Sequence, residues 1–285
     1  MDKTEAIECL NLCDIQKFLF NALKSFPKIV SSLCKNNITQ LQRIYFGSYF
    51  CGNYFCNMDM GQIDAIVHYC KLNKISLTIV IPIVSESFLH KIKEKFSQII
   101  CKHGSYIDEV TVNDIGMQNY IINNYSIKLN IGRMLIKWSR DCRYQNLYNQ
   151  IIVPDINIPQ HLKDSVNSVE YDLIRDTINF VNYPESIIPS IHFPYVYLTV
   201  GQICEYASIP YTLSKKFRPN CKCNQECSEV YITYTNQYGN YERIGRAILY
   251  KSKSIHLLNT KSYRKIYFPF DYIKEIQNES ISSIK

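Results

Sequence analysis

The run ISLTIVIP at residues 75–82 decides the fold. It is apolar almost throughout, rich in β-branched side chains, and stopped by Pro82. A strand wet on one face would alternate apolar with polar residues. This one does not, so it predicts a strand buried on both faces, as in a parallel sheet. Upstream, RIYFG (43–47) reads as a second short strand. Between the two, Gln62–Leu72 has helical spacing, with Ile63, Ile66, Val67 and Cys70 facing inward. Downstream, Ser85 can cap a helix carrying Phe88, Ile92, Phe96 and Ile99. Then follow a strand (Ile107–Asn113), a short helix (Ile115–Asn123) and another strand (Ile127–Ile131). Alternating strands and helices imply βαβ units. For 285 residues the economical closure is an α/β fold of the (β/α) barrel type, distorted or incomplete. An open doubly wound sheet is the alternative, but no GxGxxG or GxxxxGK[ST] loop follows any strand.

The two ends read differently. Residues 1–36 are expected to be a helical segment, because Ile7, Leu10, Ile15, Phe18, Leu23 and Phe26 recur roughly on one face from Thr4 to Leu33. Residues 37–228 would form the barrel-like domain. Aromatic-rich alternation in Glu229–Thr235, Ala247–Tyr250 and Lys265–Phe270 predicts a small β-rich element over 229–285, packed on the barrel.

The 32 basic and 25 acidic residues are spread along the chain, with no concentrated basic stripe of the kind a dedicated nucleic-acid binder carries. RNA stays open as a partner without support from charge. There is no secretory signal pattern and no apolar stretch near the ~20 residues of a membrane span, so the expectation is a cytoplasmic protein with reduced thiols. Twelve cysteines there are not a disulfide framework.

Their clustering carries the chemistry. Cys221, Cys223 and Cys227 lie within seven residues, with Cys204 upstream in the same string and no nearby histidine. Closely spaced soft thiolates select zinc or an iron–sulfur cluster. Zinc sites favour two CxxC-like pairs or a Cys/His set. One tight group plus a separate thiol wants a fourth, distant ligand, and that asymmetry suits a cluster better, with zinc as the alternative.

Three strings then resemble a known family, the collagenase-like "U-thirty-two" peptidase superfamily and its short UbiV-like branch. They are IYFGSYFCGNYF (44–55), VNDIGMQNYI (112–121) and IGRMLIKWSRDCR (131–143), followed by LTVGQIC (198–204) and the CxxxC of Cys223 and Cys227. The resemblance implies a 4Fe–4S cluster on Cys51, Cys204, Cys223 and Cys227, with Cys221 the alternate third ligand. It implies a part in oxygen-independent hydroxylation of a quinone precursor, an RNA base or a peptide, in a heterodimer with a related U-thirty-two-family protein. A non-catalytic, metal-stapled scaffold is the alternative reading, and a peptidase ranks last, because no Ser/His/Asp or Cys/His triad is legible.

Among other residues, Arg133, Lys137 and Arg140 share one helical face and are expected to bind a small anionic substrate, or else to form structural ion pairs with Asp114 and Asp141. Asn113 and Asp114 end a strand where barrels place substrate contacts, or they cap the next helix. His192 reads by default as a packed histidine near Cys204.

Overall fold

The computed structural model describes residues 5–14, 40–136, 158, 162, 164–172, 177–201, 203–208, 211–212, 223–228, 231–237, 239–252, 256–260 and 262–275. Eight parallel strands close a barrel in the order β1-β14-β8-β6-β5-β4-β3-β2. These are β1 (Glu5–Asn11), β2 (Arg43–Gly47), β3 (Ser76–Ile81), β4 (Ile107–Val112), β5 (Lys128–Ile131), β6 (Val166–Asp172), β8 (Ile188–Phe193) and β14 (Ser262–Tyr267). Helices α1 (Gly52–Cys56) and α2 (Met60–Asn73) join β2 to β3. Helix α3 (Glu86–His103) joins β3 to β4, and α4 (Ile115–Asn124) joins β4 to β5. The strand–helix rhythm around ISLTIVIP therefore stands. Leu77, Ile79, Val80 and Ile81 are all buried.

The first correction is at the N-terminus. Glu5–Asn11 is a strand, not part of a helix, and it pairs in parallel with both β14 and β2. Its last residues, Cys9, Leu10 and Asn11, are buried in succession. That is the mark of a strand covered on both faces, and seven residues also fit a helical apolar pattern by chance. Pairing on both edges, a tertiary effect, decides between them. The rest of the expected helix, 15–33, lies outside the described residues.

The expected carboxy-terminal β-rich element is present, with different bounds. An antiparallel sheet is present, ordered β10-β11-β12-β9, from β9 (Tyr195–Val200), β10 (Ile232–Asn236), β11 (Gly239–Ile244) and β12 (Ala247–Lys251). Its first strand precedes Cys204, and Ser262–Tyr267, read as part of the appended element, is a barrel stave. The sheet is thus inserted between β8 and β14. A small parallel pair joins β7 (Thr177–Asn179), on the connection from β6 to β8, to β13 (His256–Leu258), on the connection from β12 to β14. Tyr195, Tyr197, Ile244, Ala247 and Leu249 join the main core, so the inserted sheet is packed onto the barrel. Among the described residues no helix is long and apolar enough to cross a membrane.

The barrel interior is unusual in its polarity. Barrels of this kind are ordinarily filled by layers of Val, Ile and Leu. Here Thr78, Glu109, Thr111, Asn130, Ser168, Glu170, Ser190, His192 and Arg264 are all buried. They alternate along their strands with apolar residues that face outward, such as Val110, Val169, Tyr171 and Ile191. At its lower end Glu109 accepts hydrogen bonds from Arg264 (2.6 Å), Asn167 (2.6 Å) and Thr78 (3.0 Å), and pairs with Arg43 (2.9 Å). Burial alone would raise the Glu109 carboxyl, but Arg264 and Arg43 outweigh it and hold it below its usual range.

Candidate metal centre at the barrel mouth

The carboxyl ends of the strands form the mouth, where barrel folds build their sites. At the end of β2, Gly47 adopts φ +137° against the Val80 carbonyl, where a Cβ would stand 2.2 Å from the oxygen. Only glycine fits this approach. The chain then turns inward: the Ser48 hydroxyl donates to Asp14 and accepts from the Cys51 amide (3.0 Å), while the Tyr49 amide donates to Asp14 (2.9 Å). Cys51 is thereby fixed as the residue before α1, and the Tyr54 amide donates to its sulfur.

The other thiols come from the inserted segment. Cys204 precedes α5 (Glu205–Ser208), and its sulfur accepts from the Ala207 amide at 3.5 Å. The Cys223 sulfur accepts from the Gln225 amide at 3.4 Å, and Gln225 itself is in the left-handed region (φ 62°). Cys227 lies in the short 3₁₀ turn Glu226–Ser228, its sulfur against Gly245, where a Cβ would be 3.7 Å away. Three of the four sulfurs thus accept a main-chain amide.

These thiols share one electrostatic neighbourhood. Burial pushes Cys227 far up, and the charges of Cys51, Cys204 and Cys223 push it further. Burial likewise raises Cys51 to about 11, with Arg246 opposing and Asp14 and Cys223 adding to the rise. Cys223 is raised by burial and then by Glu226 and Cys204, against the Gln225 amide. The Cys227 thiol thus lies within electrostatic range of the other three. Among the described residues no three Cys, His, Asp or Glu side chains are grouped tightly enough to hold a single ion. Arg246 is held by the Gly201 carbonyl (2.6 Å) and has no carboxylate partner among the described residues, whereas Arg43, Arg133, Arg243 and Arg264 are all ion-paired.

The other expected site residues have structural work. Arg133 is buried, ion-paired with Asp172 and packed against the rings of Tyr49, Phe50 and Tyr197 at 5.1–5.8 Å. Its partner among the described residues is Asp172, and Asp141 lies outside them. Asn113 donates to the Ile81 carbonyl (2.9 Å) and accepts from the Met134 amide (3.1 Å), tying three strand ends together. Asp114 caps α4 by accepting from the Met117 amide (3.0 Å). Lys137, Arg140 and Cys221 lie outside the described residues. Sequence reasoning passed over Asp14, Arg246 and Glu170.

Below the mouth, His192 Nε2 lies 3.0 Å from Glu170 Oε2, and the Thr111 hydroxyl donates to Glu170 Oε1 at 2.6 Å. Burial raises Glu170 to about 7, against the pull of Thr111, Tyr49, Arg133 and Arg264. Burial, with Arg133, pushes His192 well below its ordinary value. Among the described residues Asn130 Oδ1, Ser190 Oγ and His192 Nδ1 have no hydrogen-bond partner, and the Tyr49 hydroxyl comes up to Glu170 without forming a well-aligned bond. A dry, unpaired buried polar group costs about 1–3 kcal/mol, so several together rival the ~5–15 kcal/mol that holds a domain folded.

No protein-family model, curated protein or solved structure matches this chain.

Proposed function

We propose that Cys51, Cys204, Cys223 and Cys227 hold a 4Fe–4S cluster at the barrel mouth. The observation that carries this is the Cys227 thiol, which lies within reach of the charges of the other three. The donor set is all sulfur, as iron–sulfur clusters prefer. Four thiolates around one zinc at ~2.3 Å would stand only about 3.8 Å apart. The described thiols are less tightly grouped than a single ion needs. Amide donors on the sulfurs of Cys51, Cys204 and Cys223 are the contacts by which proteins set cluster potentials. The raised thiols favour the protonated state until a cation arrives, and the metal supplies that charge.

When bound, the cluster supplies one-electron redox chemistry. Cys51, Cys204, Cys223 and Cys227 would hold it, and Arg246 would offset part of its negative charge. The resemblance to the UbiV-like branch supports a role in oxygen-independent hydroxylation, on a quinone precursor, an RNA base or a peptide, in a pair with a related U-thirty-two-family protein. The small anionic ligand expected of that chemistry would not be held by Arg133, whose guanidinium is engaged by Asp172. A purely structural staple is the second reading, favoured by the way the four thiols tie the insertion to the end of β2.

Anaerobic purification with iron and sulfide counting tests the cluster. Brown protein with about four irons, losing them on Cys51→Ala or Cys227→Ala, is the expected result. Colourless protein with one zinc sinks it. A cluster that no reductant can reach favours the staple over the hydroxylase.

A further inference from the structure

We propose that the upper barrel lumen is a hydrated acid–base site, in which Glu170 and His192 hold one exchangeable proton and whose resident ligand is water. The proposal does not depend on the metal centre, because it stands on the inner faces of β4, β5, β6 and β8.

The geometry is a chain of side chains from adjacent strands. Asn130 donates to Thr111 (3.3 Å), Thr111 donates to Glu170 (2.6 Å), and Glu170 meets His192 (3.0 Å). The hydrogen between Glu170 and His192 lies in either of two arrangements, the second holding one proton more on the pair than the first. If it is on Nε2, the carboxylate accepts it and Nδ1 is a bare acceptor. If it is on Glu170, the carboxyl donates to Nε2 and Nδ1 carries a hydrogen with nowhere to go. Among the described residues both arrangements leave Nδ1 unmet, and Ser190 Oγ and Asn130 Oδ1 are unmet as well. Three fully buried polar groups on two strands, β5 and β8, that flank β6 are what ordered internal water bridges. Leaving them dry would consume much of the stability of the fold.

The charges facing this pair are few. Arg133 approaches from the mouth and Arg264 from below, each already engaged by a carboxylate (Asp172 and Glu109). Cys13 feels Glu170 from the end of β1, and Tyr49 packs its ring edge-on to His192 at 5.1 Å. Neither arginine is placed to fix Glu170 as a permanent carboxylate, so the pair can change protonation state. Tyr49 belongs to the segment that positions Cys51, which sets the acid–base pair directly beneath the thiol mouth.

The test is ¹⁵N-histidine labelling of the whole protein. Six histidines give few enough signals to assign, with His192 identified by its loss in His192→Gln. Glu170→Gln moves the same resonance, so the assignment survives if the first variant does not fold. The expected result is an Nδ1 shift of a hydrogen-bonded nitrogen and an imidazole proton that exchanges with D2O within seconds. An Nδ1 at the value of a free lone pair, or an imidazole proton that persists for hours, describes a dry lumen and overturns the proposal.

Discussion

The Gln225 side-chain amide donates to the Asn57 carbonyl at 3.3 Å, bridging the loop that carries Cys223 and Cys227 to the end of the helix that begins after Cys51. The bond is exposed, yet it joins the two parts of the chain whose thiols must converge. An exposed hydrogen bond contributes about 0.5–1.5 kcal/mol, up to roughly a tenfold change in an equilibrium. Gln225→Ala is therefore expected to leave thermal unfolding of the metal-free protein almost unchanged. It should speed loss of bound metal to a chelator by about two- to tenfold. Equal rates in the two proteins would mean the bridge has no part in closing the centre.

Arg133 separates a structural from a substrate role. Its pair with Asp172 is buried, and removing one partner of such a pair costs about 3–5 kcal/mol by stranding the other charge. Arg133→Met should unfold at much lower denaturant, and Arg133→Met with Asp172→Leu should recover most of that loss. Recovery without the guanidinium identifies Arg133 as part of the mouth's framework. A fully stable single variant that no longer binds small anions would restore the substrate reading.

Glu170 gives a pH signature. Its folded value is about 7, against about 4.3 unfolded. The folded state therefore keeps its proton to higher pH, and the wild-type protein loses stability as pH climbs from about 4 to 7. Glutamine makes a similar bond to Thr111 and has no proton to lose. Glu170→Gln should stabilise by about 3 kcal/mol at pH 8, with the advantage fading below pH ~4.5. Urea melts at the two pH values check this; a gain independent of pH would locate the effect elsewhere.

Much of the barrel was readable because buried parallel strands and amphipathic helices leave strong local patterns, as ISLTIVIP and residues 86–103 do. The late cysteines drew a metal-site reading because their spacing is itself unusual. Closure was not. Whether Glu5–Asn11 is helix or strand depends on β14 arriving beside it from the far end of the chain. The polar lumen had a signal in the alternation of SVEYD and PSIHF, where every second residue is polar, but that pattern normally marks a wet face. Arg133 misled because a strand-end arginine has the same sequence appearance whether its carboxylate is a substrate or Asp172.

Gly47 tests how the site depends on backbone geometry. At φ +137° an added Cβ meets the Val80 carbonyl at 2.2 Å, so Gly47→Ala combines strain with a clash against main chain. The Ser48 amide bonds that same carbonyl (3.1 Å), and the Gly47 carbonyl accepts from Asp14 (3.3 Å), so any shift is transmitted to Cys51 through Ser48. Gly239 has a similar φ (+139°), nothing within 4 Å of its added Cβ, and no part in holding the thiols. Gly239→Ala should thus lose about 1–3 kcal/mol from strain alone and keep its metal. Gly47→Ala should lose more stability than that and, with it, most of the iron that the proposed cluster would hold. If both variants load metal equally, the tight turn after β2 is not what aims Cys51 at the other three thiols.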